Sequence, residues 1–237
     1  MKLDSIAWNE ENYKKFVDYL YSLQDLNYRE FHNKLNKNTL NLIGIRTPLL
    51  KNIAKVISKG NYLEFIKINK DSTYEEIIIE GLVIGYIKSD FKSVLELVNN
   101  FIPLIDNWAV NDVVCANLKC FKKYQKEGFV DIKKYLSSSN PWSIRFGIVL
   151  LLDHYINDDY INELMKIIKS IKNTNYYVTM ANAWLISICF IKYPDITINL
   201  FINNELDNET NNKAIKKIKE SLRVDKKTKL FLSNYIK

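Results

Sequence analysis

A chain of 237 residues, 47% of them hydrophobic, is long enough to bury the core of one large domain or two small ones. Six Gly and four Pro are too few for a sheet-rich chain of tight turns, and apolar runs such as residues 146–152 are far too short to span a bilayer. The 34 basic and 27 acidic residues leave a net charge of +7 and a pI near 9.0, a moderate excess that suits a polyanionic partner but also occurs in proteins that merely stay soluble.

The predicted elements are helices throughout. Residues 10–23 set Phe16, Val17, Leu20 and Leu23 at helical spacing, and residues 28–35 give a shorter second helix. After the stretch 38–45, Thr47 as N-cap with Pro48 at the first helical position starts a third helix, which stops before Gly60. Further helical patterns cover residues 62–68, 74–88, 91–101, 108–124 and 129–136. Asn140-Pro141 opens the next, through 155, and the rest span 159–170, 175–193, 195–203, 208–222 and 226–235. The β-branched run 77–79 is flanked by Glu75, Glu76 and Glu80, which continue a helix better than a strand. Connections are short and polar, so residues 1–237 are expected to form one domain. The opening MKLDSIAWNE has no signal-peptide pattern. Cys115, Cys120 and Cys189 are odd in number and lie among apolar neighbours, as reduced core residues of a cytoplasmic protein do. His32 and His154 stand in no ligand pattern, so neither a metal nor another cofactor is expected.

Three stretches carry chemistry-bearing side chains. In LIDNWAVNDVVCANLKC, Asp106 or Asn107 can cap a helix, and Trp108 and Asp112, four apart, share one face of it. Val113, Val114, Ala116 and Leu118 would bury the remainder. A half-buried Trp beside a solvated Asp is the plain alternative. In NPWSIRFGIVLLL, Trp142 and Arg145 lie on adjacent turns of one face, and the guanidinium is a planar fork suited to a phosphate, though a lone Arg more often makes an ion pair. In NYYVTMANAWLISICFIK, Tyr177 and Trp184 are seven apart on one face, with Trp184 at the margin of the core.

The stretches recur. Trp108 to Arg145 is 37 residues and Arg145 to Trp184 is 39, each early or midway in the first helix of a pair. A helix pair every 37 to 40 residues is the spacing of HEAT-type repeats, whose equivalent helices line one concave face. The expected fold is therefore an all-α solenoid of paired antiparallel helices with Trp108, Asp112, Arg145 and Trp184 on one groove. A plain helical bundle with coincidental spacing is the competing expectation.

Five segments in order make the chain resemble the AlkD-type DNA alkylation repair proteins, HEAT-like repeat glycosylases that act on alkylated purines. LIGIRTPLL resembles the family's Gly-Ile-x-Thr-Pro segment, NWAVND its Trp-x-x-x-Asp, WSIR its Trp-x-x-Arg, ANAWLI its Ala-x-x-Trp helix and NNELDNETNNKAIKKIK its closing helix. The resemblance implies a groove for duplex DNA carrying alkylated bases and a monomer that needs no cofactor. It implies Asp112, Trp108 and Trp184 as catalytic residues and Arg145 as a phosphate ligand. Arg46, Trp142, Tyr177 and Lys192 would join it in contacting DNA, and a lysine-rich concave rim would supply the salt-dependent affinity. The chain departs from the family where Arg46 replaces a common Gln, Ala109 a common acid, and Ser187 and Ile188 a basic or acidic turn. Other readings are a non-catalytic binder of damaged or branched DNA and a protein-interaction scaffold, since fold alone does not decide function.

Overall fold

Glu75 and Glu76 illustrate how this chain uses charge inside its core: both side chains are buried, at 0% and 1% exposure. The computed structural model in which they lie describes residues 1–35, 41–172 and 174–237, so the start of the 38–45 stretch falls outside the described residues. By internal contacts the chain forms two units, residues 1–120 and 121–237. The first holds α1 (Glu10–Ser22), α2 (Leu26–Leu35), α3 (Thr47–Ile57), α4 (Tyr62–Ile68), α5 (Tyr74–Tyr86), α6 (Phe91–Phe101) and α7 (Trp108–Asn117). The short α8 (Cys120–Lys123) spans the boundary. The second unit holds α9 (Gln125–Leu136), α10 (Pro141–His154), α11 (Ile161–Ser170), α12 (Tyr176–Lys192), α13 (Pro194–Thr197), α14 (Asn199–Ile202), α15 (Asn208–Glu220) and α16 (Lys226–Ser233). No strand occurs among the described residues, and the fold is all-α, of HEAT-like paired helices.

The pairing shows in the burial pattern. Helix α5 is buried on almost every side, with Ile77 its main opening before the last turn, and α10 is buried continuously from Ile144 to Leu151. The helices that follow them, α6 and α11, bury a single stripe: Val94, Val98 and Phe101 in α6, and Ile161, Leu164, Met165, Ile167 and Ile168 in α11. An all-round apolar helix needs neighbours on both flanks, whereas a striped one closes an outside. Accordingly α5 packs on α3, α6 and α7 in the first unit, and α12 packs on α10, α11 and α15 in the second. The first helices of the pairs begin at Tyr74, Trp108, Pro141, Tyr176 and Asn208, at intervals of 34, 33, 35 and 32 residues. The longer 37- and 39-residue spacing in the sequence arises because Trp108 is residue 1 of its helix, Arg145 residue 5 and Trp184 residue 9. Each successive side chain sits about one turn further along.

Several boundaries differ from expectation. Arg46, not Thr47, is the N-cap of α3, which places Pro48 second, and no side chain caps this helix. The predicted helix 108–124 breaks after Asn117, because the Asn117 Nδ2 donates to the Leu82 carbonyl of α5 at 3.0 Å. Gly85 makes room for that contact: a Cβ there would meet Asn117 Nδ2 at 2.3 Å. Gly128 does not delay α9 to residue 129; the helix starts at Gln125, and a Cβ on Gly128 would come within 2.7 Å of Phe121 and the Tyr155 hydroxyl. The predicted helix 195–203 is two short helices, α13 and α14.

Buried acids tie the first unit together. The Glu75 carboxylate accepts from three consecutive backbone amides, Ile43 at 2.9 Å, Gly44 at 2.7 Å and Ile45 at 3.1 Å. Those amides belong to an irregular segment that would otherwise leave buried donors unpaired. Gly44 has φ +101°, and a Cβ there would sit 2.6 Å from the Arg29 Cβ, so both conformation and space demand glycine. Beside this latch, Glu76 accepts from the Tyr13 and Thr73 hydroxyls, while Asn69 Nδ2 donates to Asp71 at 2.7 Å and to Glu80 at 2.8 Å. Burial pushes Glu80 up to about 8 and Asp71 up to about 6, and their proximity lets one proton serve both.

The sign of the pH effect follows. These folded-state acids bind protons that the unfolded chain, with ordinary carboxylates, releases above pH 4 to 5. Their contribution to stability is fully present below that range and is lost as pH rises toward 8, by at most about 1.4 kcal/mol per pH unit and proton. The melting temperature is therefore expected to fall between pH 5.5 and 8.5. Glu80→Gln, which mimics the protonated acid and can still bond Asn69 and Asp71, should flatten that dependence. Melting curves followed by circular dichroism at the two pH values measure it, and a variant with the wild-type slope would rule the network out as the cause.

Candidate functional site

Helix α7 positions Trp108 and Asp112. Asn107 caps it, its Oδ1 accepting from Ala109 N and Val110 N at 3.0 Å each. Ala109, Val110, Asn111, Val114, Cys115 and Asn117 are buried, so the helix opens only along Trp108, Asp112, Val113 and Ala116. Trp108, Asp112 and Ala116 are successive i, i+4 positions, one stripe along the helix. The expected buried set is thus corrected at Ala116, which is exposed, and at Val113, which is half-buried. Asn111, fully buried, donates its Nδ2 to Asp112 Oδ1 at 3.1 Å. It holds the carboxylate from the core side, and its own Oδ1 is left without a hydrogen bond among the described residues.

Arg46 belongs to the same unit, on α3, which packs on α5 as α5 packs on α7. Its guanidinium is exposed but engaged: Nε and Nη2 lie 3.0 and 2.8 Å from Asp25 Oδ2, and the group sits 5.2 Å from the Tyr28 ring centroid. The backbone N–H of Tyr28 and then Arg46 hold the Asp25 carboxyl below its usual range. Much of the Arg46 charge is accordingly offset locally.

In the second unit Trp142, Arg145 and Tyr177 come together. Asn140 caps α10 through a 2.8 Å bond from Trp142 N, and Asn175 caps α12 through a 2.9 Å bond from Tyr177 N. The two helix starts set the Trp142 and Tyr177 rings 4.7 Å apart at 33°, and Tyr176 meets Tyr177 edge-on at 5.4 Å. Arg145 is only 5% exposed, and its Nη1 donates to the Tyr177 carbonyl at 2.7 Å, tying α10 to α12. Helix α12 is buried on every face but one. Its open stripe runs through Tyr177, Met180, Trp184, Ile188 and Ile191, at spacings of three and four, so Trp184 faces outward from a helix that is otherwise core. Lys192 is exposed at the far end, two turns beyond Trp184, with its Nζ 3.4 Å from the Ile156 carbonyl.

The family of DNA alkylation repair enzymes matches residues 17–221, most of the chain. The chain belongs to that family. A search of curated proteins returned no match. All eight candidate residues of this DNA alkylation repair protein lie inside the matched region, and α16 lies outside it.

Within this family member the early segment LIGIRTPLL contains the irregular stretch whose Ile43, Gly44 and Ile45 amides Glu75 holds, and it delivers Arg46 to the start of α3. The Trp-x-x-x-Asp segment is the open stripe of α7, the Trp-x-x-Arg segment is the start of α10, and the late Trp lies on the open stripe of α12. Sequence reasoning missed Asn111, Tyr176 and Tyr28. The first carried a signal: an Asn in mid-helix on an apolar side is disfavoured by propensity and marks a side chain with a polar task. Tyr176 and Tyr28 carried none, because their partners are non-adjacent in sequence.

Proposed function

We propose that this chain is a monofunctional glycosylase that releases cationic N3- or N7-alkylated purines from duplex DNA, acting as a monomer without a base-swallowing pocket. The observation that carries this reading is the α7 stripe: Trp108 and Asp112 share the open edge of an otherwise buried helix, with Asn111 orienting the carboxylate. Membership of an alkylation repair family supports it.

The chemistry asks little acid help, because an alkylated purine is cationic and leaves as a neutral base. The barrier is the oxocarbenium-like sugar. A fixed carboxylate aimed at that centre stabilises the developing positive charge, and Asp112 takes this role while orienting the water that adds to the sugar. The base departs with the bonding electron pair, and the water's proton passes to solvent. Trp108 offers an indole face to the sugar or the cationic lesion, worth roughly 0.5–2 kcal/mol, and Trp184, on the open stripe of α12, is proposed as a further catalytic residue. Arg145, whose Nη1 donates to the Tyr177 carbonyl, is proposed to hold a phosphate, a contact that fixes strand register without reading sequence. Arg46, Trp142, Tyr177 and Lys192 are proposed as further DNA contacts.

Incubating the protein with methylated duplex DNA and measuring released 7-methylguanine and 3-methyladenine tests the reading. Release above the spontaneous rate is expected. DNA binding with no release would reject catalysis and leave a non-catalytic binder, and absence of both would point to a protein-interaction scaffold.

A further inference from the structure

The charge of this chain is unevenly placed. Residues 213–237 hold nine basic and two acidic side chains, +7, while residues 1–212 balance at 25 of each sign. The whole net charge therefore sits on the stretch from Lys213 in α15 through α16 to Lys237. Among the described residues Lys216, Arg223, Lys226, Lys227 and Lys229 make no ion pair. Three of these occupy the first turn of α16, just behind its N-cap Asp225, whose carboxylate accepts from Thr228 N at 3.0 Å and is turned to the helix start.

The basic stretch begins beside the aromatic cluster, at Lys213, which also pairs with Glu209 at 3.4 Å. Helix α15 packs on α12, and Lys213 Nζ lies 5.1 Å from the Tyr176 ring centroid, beside Tyr177 and its partner Trp142. Between the cations stand exposed apolar side chains, Leu222 at 99% and Phe231 at 44%. Phosphates flanked by sugar edges match that mixture, since apolar wedges beside Lys and Arg are how proteins seat against a DNA groove.

We propose that the α15–α16 surface is a second, sequence-independent binding site for the phosphates of duplex DNA, and that it carries most of the salt dependence of association. This rests on the DNA-acting reading above but not on catalysis.

The test compares two triple variants. One combines Lys226→Gln, Lys227→Gln and Lys229→Gln; the other combines Lys122→Gln, Lys123→Gln and Lys126→Gln, which removes the same charge from exposed positions in the balanced part of the chain. Affinity for undamaged duplex is titrated from low to high salt. Each phosphate that the protein no longer neutralises lowers the logarithmic salt slope by about 0.9, so the first variant is expected to lose about 2 to 3 of slope and the second almost none. An equal fall in both would reduce the effect to net charge, and no fall in the first would remove the site; either result overturns the proposal. Labelled poly-L-glutamate is titrated alongside: if the first variant loses only polyglutamate binding, the patch serves an acidic protein instead and the proposal fails. A wild-type protein that shows the salt slope yet releases no base would reject the glycosylase reading alone.

Discussion

Asp112→Asn is expected to slow single-turnover release of 7-methylguanine by about 10² to 10³, with melting temperature and affinity for undamaged DNA little changed. The substitution keeps the shape of the side chain and an oxygen that can accept from Asn111 Nδ2, now 3.1 Å from Asp112 Oδ1. It removes the negative charge that would face the sugar cation. One well-placed electrostatic group in an active site is worth roughly 3 to 4 kcal/mol. The lower end of the range is expected here, because Asp112 is half-exposed and solvent screens it, and because a cationic purine already leaves readily. Quenched-flow or manual sampling of base release, read beside a melting curve, gives both numbers from one preparation. Excision at the wild-type rate would remove Asp112 from catalysis. Loss of excision accompanied by unfolding would make it a structural residue of α7. Asn111→Ala adds a graded comparison: its loss should lower the excision rate less than Asp112→Asn, since it removes a positioning bond and leaves the charge.

What was legible in the sequence was local. Asn107, one of two caps the pattern offered, caps α7, and Asn140 caps α10 where Asn140-Pro141 marks a helix start, because a cap acts over two or three residues; Asn175, expected as the first helical residue, is the cap of α12. Long-range contacts were not legible. Glu75 and Glu76 read as the polar flank of a helix, yet Glu75 is in the core because three amides some 30 residues earlier satisfy it. The end of α7 at Asn117 depends on a carbonyl 35 residues away and on Gly85 giving way to the side chain. The Trp142–Tyr177 stack also joins residues 35 apart, so spacing on either helix alone gives no sign of it. Residue types named the candidate site, and tertiary packing decides what each side chain is bound to.

Arg145 is where that difference changes an expected result. A lone Arg on a helix face would give up only its bond to a phosphate when truncated, but here the side chain is 5% exposed and bonds the Tyr177 carbonyl at 2.7 Å. Arg145→Ala is therefore expected to act twice. Loss of a buried charge-assisted hydrogen bond costs about 1.5 to 3 kcal/mol of stability, which in a chain of this size lowers the melting temperature by roughly 3 to 12 °C. Loss of the positive charge beside Trp142 and Tyr177 should weaken binding to undamaged duplex by about 1 to 3 kcal/mol, to a similar extent for every sequence, because a phosphate carries no base identity. Arg145→Lys separates the two effects. An ammonium retains the charge and can reach one acceptor, but it lacks the fork that can hold the Tyr177 carbonyl and a phosphate together. It should recover more of the DNA affinity than of the melting temperature. Both variants are titrated well below their melting points, at several salt concentrations. If Arg145→Ala melts early but binds every duplex as the wild type does, the guanidinium is a tie between α10 and α12 and the phosphate assignment is rejected. If affinity falls for some sequences and not others, Arg145 is reading bases, and the positioning role proposed for it is wrong.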